Sequence, residues 1–177
     1  YELSITTDRA AFDAQVSSLG LQGKQLIHFE TVIGNGLQWY VGVWLGSGDS
    51  ALVVDVSLDQ LIAEQTARSA AGMRLVDIET YEVGGSRRYT GVFNEGNELY
   101  DLRVGLSWDP FAAAFEDNGA LHLVDVETWD DGGQRVYAGV WNGANGGSER
   151  LVGGHDWAAF SIENLSFEQK GKKLVDM

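Results

Sequence analysis

The sequence predicts a mixed α/β (α+β) fold of tandem β-α-β-β repeats, three full and one partial. Three observations carry this prediction: similar segments recur about every fifty residues, a glycine-containing pair separates two β-rich runs in each full copy, and a helical pattern precedes each hairpin. A single such unit cannot bury both its sheet and its helix. We therefore expect the antiparallel hairpins to stack side by side, as an arc or a closed propeller-like ring.

The repeat is clearest in three segments that align without a gap. They are LIHFETVIGNGLQWYVGVW from Leu26, LVDIETYEVGGSRRYTGVF from Leu75 and LVDVETWDDGGQRVYAGVW from Leu123. The columns shared by all three hold Leu, Glu, Thr, Gly, Tyr, Gly and Val. A further copy begins with LVDM at Leu174. The predicted units of this single repeat domain are about 1–46, 47–96, 97–145 and, in part, 146–177.

A short β-like run and a helical pattern open each unit. The runs are ELSI, LVVDV, LRVGL and RLVGG, and each precedes a segment with helical periodicity. The predicted N-caps of these helices are Thr7, Ser57, Ser107 and Asp156, with Gln60 completing a capping box after Ser57. Glycines that can adopt the left-handed conformation are predicted at the helix ends: Gly20, Gly72, Gly119 and Gly171.

The hairpin turns are predicted at Asn35-Gly36, Gly84-Gly85 and Gly132-Gly133, since these pairs tolerate the positive φ of a type I′ turn. Such a turn places Thr31 opposite Tyr40 and Phe29 opposite Gly42. One side of the hairpin, here called the core face, then carries Ile27, Phe29, Thr31, Tyr40, Gly42 and Trp44. The aromatic residues predicted to be buried on the three core faces are Tyr40, Tyr89, Tyr137, Trp44, Phe93 and Trp141.

The other side of each hairpin, here called the opposite face, is part acidic and part aromatic. It carries His28, Glu30 and Trp39, then Asp77, Glu79 and Tyr81, then Asp125, Glu127 and Trp129. We expect the repeated glutamates to be more exposed than the core-face aromatics, because charged side chains are usually solvated. An exposed aromatic beside a carboxylate can stack on a sugar ring, whereas the same aromatics can instead be buried between units.

Two interpretations of the repeated carboxylates remain open: an array that holds a hard cation such as calcium, or side chains that are solvated or paired with Arg88. The second is favoured, so no metal site and no cofactor are predicted. The candidate ligand-binding residues are Trp39, Tyr81, Trp129, Glu30, Glu79, Glu127 and Arg88.

Composition narrows the possible partners. The formal net charge of -14 repels the phosphates of nucleic acids and the surfaces of anionic membranes, so neither is expected as a partner. No run reaches the roughly 20 apolar residues of a membrane helix. The chain contains no cysteine and therefore no disulfide or thiol nucleophile. The one suggestive catalytic pair, His155 with Asp156, is interpreted as a strand end and a helix N-cap, so no catalytic residue is predicted.

The segments GMRLVDIETYEVGGSRRYTGVF and ALHLVDVETWDDGGQRVYAGVW, with the helices FAAAFEDNG and AAFSIEN, resemble a bacterial tandem repeat. That repeat occurs in the amino-terminal region of polyglycine hydrolases and related secreted proteins. The first copy, LIHFETVIGNG, departs from the pattern. The family's peptidase activity lies in a separate β-lactamase-like domain with a Ser-x-x-Lys motif, which this chain lacks. The resemblance thus implies an accessory repeat region without the enzyme, extracellular or exported.

Two functions are consistent with these features. The first is a non-catalytic repeat module that binds an extracellular glycan, peptide or cell-wall component. The second is a structural or assembly protein that pairs through open strand edges and forms homo-oligomers.

Overall fold

The computed structural model describes residues 1–117, 119–143, 151 and 157–170. Its elements follow the predicted order of strand, helix, strand, strand. Unit one contains β1 (Glu2–Thr6), α1 (Arg9–Leu21), β2 (Gln25–Gly34) and β3 (Leu37–Leu45). Unit two contains β4 (Ser50–Val56), α2 (Leu58–Ala70), β5 (Met73–Val83) and β6 (Ser86–Glu95). Unit three contains β7 (Tyr100–Leu106), α3 (Trp108–Asp117), β8 (His122–Asp131) and β9 (Gln134–Asn142), and α4 (Trp157–Glu168) follows.

Each unit forms its own antiparallel sheet of three strands. The second hairpin strand is central in every sheet, giving the orders β1-β3-β2, β4-β6-β5 and β7-β9-β8. The hairpins predicted at about 26–44, 75–93 and 123–141 are therefore confirmed. Both residues of each turn have positive φ, for example 52° at Asn35 and 74° at Gly36, as a type I′ turn requires.

The register that the turn determines is also confirmed, from the turn as far as His28. There a β-bulge, which the sequence does not predict, shifts the pairing. Phe29 pairs with Gly42 and Thr31 with Tyr40 as predicted, but Leu26 pairs with Trp44 and His28 with Val43, leaving Ile27 as the extra residue. Ile27 is only partly buried, while Leu26 is fully buried. The placement of Ile27 on the core face is thus wrong. Equivalent bulges lie between Leu75 and Asp77 and between Leu123 and Asp125.

The helix boundaries confirm some of the predicted caps and correct others. Ser57 forms the predicted capping box with Gln60. Helix α1 is capped by Asp8 instead of Thr7, because the Asp8 carboxylate accepts the backbone N–H groups of Ala10 and Ala11.

At the other ends of the helices, Gly20 lies inside α1, and Gly23 supplies the positive φ that follows this helix. Gly72 and Gly119 do adopt positive φ as predicted. The predictions for His155, Asp156, Gly171, the LVDM strand and most of RLVGG fall outside the described residues.

Helices α1, α2 and α3 pack on the core faces of their own sheets, and the next unit completes the cores of units one and two. The Phe12 ring of α1 lies 5.2 Å from the ring of Phe29 and 5.8 Å from that of Trp44, measured between centroids. Val92 of unit two packs into this same cluster. Ala138 and Val140 of unit three join the core of unit two in the same way. The expectation that neighbouring units share their cores is confirmed.

Burial of the core-face aromatics follows the prediction in part. Trp44, Phe93, Trp141 and Tyr89 are buried, whereas Tyr40 and Tyr137 are only half-buried. Within the described ranges, no helix has the length and apolar character needed to cross a bilayer.

Candidate functional site

The repeated acidic columns lie at the junctions between units. Strand β2, an edge strand of its own sheet, lies against the opposite face of the sheet formed by β4, β6 and β5. Strand β5 lies in the same way against β8 and β9 of unit three. The opposite faces of units two and three are therefore covered by the edge strand of the preceding unit.

Carboxyl groups on the covered faces accept backbone N–H groups of that edge strand. Asp77 Oδ2 accepts the N–H of Phe29 at 3.0 Å, and Asp125 Oδ2 accepts the N–H of Ile78 at 2.7 Å. Glu79 Oε2 accepts the N–H of Thr31 at the longer distance of 3.4 Å. An edge strand has one row of N–H groups without a partner strand, and burying such donors unpaired is costly. These carboxyl groups therefore satisfy donors that the junction would otherwise bury unpaired.

His28 joins the carboxylates of units one and two. Its Nδ1 lies 2.5 Å from Asp77 Oδ1, and its Nε2 lies 3.0 Å from Glu30 Oε1. The hydrogen bond to Asp77, supported by that to Glu30, raises the pKa of His28 to about 11. Burial raises the pKa of Asp77, and the bond to His28 opposes that shift. At neutral pH His28 is thus an imidazolium held between two carboxyl groups.

Glu79 is buried, with 4% of its surface exposed, so the predicted exposure of this glutamate is wrong. The reason is that its face is a junction between units and not a solvated surface. Burial raises the pKa of Glu79 to about 10, and the nearby Glu127 and Glu30 add repulsion that favours the neutral acid. Glu30 and Glu127 are partly buried. The glutamates of units one and three thus act electrostatically on the glutamate of unit two.

The three aromatics of the opposite faces lie in different surroundings. Trp39 is 39% exposed, whereas Tyr81 is buried. Trp129 packs against the core of unit two, with the Arg87 guanidinium 5.0 Å from its ring centre. The alternative in which the aromatics are buried between units therefore describes Tyr81 and Trp129, and the exposed alternative describes Trp39.

Arg88 lies near Asp55, with 3.8 Å between Nε and Oδ1. Asp55 belongs to strand β4 and is not one of the repeated carboxylates, so the predicted pairing of Arg88 with those groups stays a prediction. Within the part of the chain that the structure describes, no group of three or more His, Asp or Glu side chains is placed to hold a metal ion. Ligand binding by the seven candidate residues stays a prediction.

Sequence reasoning missed the structural roles of His28, Asp77 and Asp125. Two signals were available. Aspartate occupies the same column in copies two and three, and an edge strand packed under another sheet needs acceptors for its unpaired N–H groups. Counting those donors would have pointed to the neighbouring carboxylates.

A family model described as "Polyglycine hydrolase-like, structural repeat" matches residues 50–96 and 100–144, just over half of the 177 residues. The chain belongs to this family. The resemblance seen in the sequence is thereby confirmed, and the two matched stretches contain the sheets of units two and three. The chain has no match among the curated proteins.

Proposed function

We propose that the chain is a non-catalytic structural module whose stacked repeats act as a stiff spacer between the segments attached to them. The observation that carries this proposal is the use of the repeated acidic columns. The side chains of Asp77, Glu79 and Asp125 lie at the junctions between units, where they accept N–H groups from the edge strand of the preceding unit. Side chains engaged in this way hold the repeats together and are closed to a dissolved ligand.

Each junction joins two kinds of interaction that resist bending. A hydrogen bond within a protein contributes about 0.5–1.5 kcal/mol, and both the bond at Phe29 and the bond at Ile78 are buried. Apolar side chains such as Val92 and Val140 cross the same junctions into the core of the preceding unit. Rotation of one unit on another would break both contacts at once.

The proposal extends to the arrangement and location of the chain. We expect the units at about 1–46, 47–96, 97–145 and 146–177 to form one repeat domain, arranged as an arc or a ring. The family resemblance supports an exported or extracellular location. The net charge of -14 disfavours nucleic acid and anionic membranes as partners.

A distance measurement between two spin labels tests stiffness. The chain has no cysteine, so Leu21→Cys and Leu99→Cys, both at exposed positions of different units, introduce unique labelling sites. We expect one narrow distance distribution, which Asp77→Ala broadens by removing the acceptor for Phe29. Glu82→Ala, at an exposed position of the same strand, is the matched control and should leave the distribution narrow. A broad distribution in the unmodified pair would contradict the spacer function.

A second candidate function, binding of an extracellular glycan, peptide or cell-wall component, is favoured by one observation. Trp39 is exposed on the same face as the partly buried Glu30. The full predicted set for this function is Trp39, Tyr81, Trp129, Glu30, Glu79, Glu127 and Arg88. A glycan and peptide array probed with the labelled chain tests it. Saturable binding that Trp39→Ala abolishes would support a ligand site and replace the spacer as the main function.

A further inference from the structure

The opposite face of unit one differs from its two counterparts in being uncovered by any described residue. Leu3 and Ile5 of β1 pair with Val43 and Val41 of β3 on this face, and their exposed fractions are 63% and 56%. Val32 and Trp39 of the same face are also exposed. Unit one therefore presents an apolar sheet face to solvent, which is unusual for a stable surface.

The equivalent positions in the other units identify what such a face binds. Leu52 pairs with Val92 as Leu3 pairs with Val43, and both Leu52 and Val92 pack against the core of unit one. In unit three, Leu102 and Val140 pack against the core of unit two. In both cases the occupant is the edge strand of a repeat hairpin, with its core beneath.

From this equivalence we propose that the opposite face of unit one binds the edge strand of another repeat of the same family. The inference rests on the structural function proposed above and identifies the partner that the face of unit one binds. Glu30 stands in the same column as Glu79, which accepts the N–H of Thr31. Glu30 is therefore placed to accept an N–H group of the incoming strand.

The face of unit one also differs chemically from the other two, which defines the partner more closely. His28 stands where Asp77 and Asp125 accept a backbone N–H, and its ring is already engaged by Asp77 and Glu30. Val41 stands where the other units have the buried Thr90 and Ala138. The partner strand is thus held by one carboxylate and a larger apolar area.

The test places a further repeat in front of the full chain. A second copy of residues 50–99 is inserted directly before Tyr1, a junction that keeps the spacing between units because Leu3 and Leu102 occupy equivalent register positions. Leu3→Cys then reports access to the face, since the chain has no other cysteine. We expect its thiol labelling to slow at least tenfold on insertion. Leu21→Cys, exposed on α1 of the same unit, should react at an unchanged rate.

Ile5→Glu supplies the specificity control. It should restore rapid labelling at Leu3→Cys in the extended chain, because a charge on the face opposes burial under the added strand. Unchanged labelling of Leu3→Cys in the extended chain, whether or not the added repeat folds, would overturn the proposal. Dimerisation of the unextended chain in which the same face of a second copy is the occupant, shown by a Leu3→Cys to Leu3→Cys crosslink, would also overturn it, because that occupant is not an edge strand. So would array binding that is lost in Trp39→Ala. Either result is independent of the spin-label distances that test the spacer itself.

Discussion

The opposite faces of units one and two are built on the same backbone and differ in what covers them. Both have a hairpin with a type I′ turn, a bulge at the same place and a valine in the same column, Val43 or Val92. Val92 is fully buried because the core of unit one lies against it, and Val43 is only partly buried. Local structure is thus set within each unit, whereas burial on this face is set by the neighbour.

The largest expected effect is the difference in stability loss between removing a carboxyl group from the covered face of unit two and removing one from the uncovered face of unit one. Asp77→Ala leaves Phe29 N–H without its acceptor and His28 without a buried partner, so we expect the free energy of unfolding to fall by about 3–5 kcal/mol. Glu30→Ala should cost about 1 kcal/mol or less, because the pair it forms is partly exposed. Urea unfolding followed by circular dichroism measures both. Equal losses would remove the distinction between the two faces.

The next effect tests the core faces, where the units are alike. A Cβ on Gly91 would lie 2.9 Å from Leu61 Cδ1 and 3.0 Å from Leu75 Cδ1, so Gly91→Ala should lower the free energy of unfolding by about 1–3 kcal/mol. Gly42→Ala should cost at least as much, since its Cβ would overlap ring atoms of Trp44 and touch Phe12. Gly34→Ala is the control, because nothing lies near its added methyl group. A large loss of stability in Gly34→Ala would show that steric overlap of the added methyl group is not the cause of the losses.

A smaller and more direct contrast comes from the paired valines. Val92→Ala removes two methyl groups from a fully buried site and should cost about 2 kcal/mol. Val43→Ala, in the same column of the uncovered face, should cost less than about 1 kcal/mol in the unextended chain. Thermal unfolding of the two variants under the same conditions measures the difference between their stability losses. If the order is reversed, the face of unit one is already covered in solution.

The last contrast concerns the pH dependence of stability, whose direction is set by the titratable groups at the junction. Folded Glu79 keeps a proton up to a pKa of about 10, whereas an unfolded glutamate releases it near 4.5, so its contribution to stability is lost as pH rises between these values. His28 acts in the same direction between 6.5 and about 11, because its raised pKa also means that the folded state holds the extra proton. We therefore expect unfolding free energy to fall from pH 5 to pH 9.

Two variants assign this pH dependence. Glu79→Gln should reduce the fall between pH 5 and 6.5, where an unfolded histidine is still largely protonated, and His28→Gln should reduce it only above pH 6.5. Urea midpoints at intervals of one pH unit provide the measurement. Stability that increases with pH over this range would show that Glu79 is ionised in the folded protein.

The sequence predicts features that depend on one hairpin alone, such as strand register. It does not predict features that depend on a neighbouring unit, such as the burial of Glu79. The glycine-containing turns determine the pairing of Phe29 with Gly42, because a two-residue turn leaves one register. The bulge at Ile27 is not predicted, because one extra residue leaves no recognisable signal in the alternation of apolar and polar residues. The sequence predicts that Glu79 lies in solvent, because acidic side chains usually do, but the strand that covers it comes from a distant part of the sequence.

The donors at each junction belong to the main chain, and this bears on how such an array can change over evolution. A duplicated unit brings its N–H groups with it whatever its side chains are, so a new copy is compatible with its neighbour from the start. The acceptors, by contrast, are side chains and can be lost by substitution. Unit one has histidine in the aspartate column yet still donates Phe29 N–H to Asp77. A repeat can thus diverge on one side while its other side stays joined, because the donor and the acceptor of each contact belong to different units.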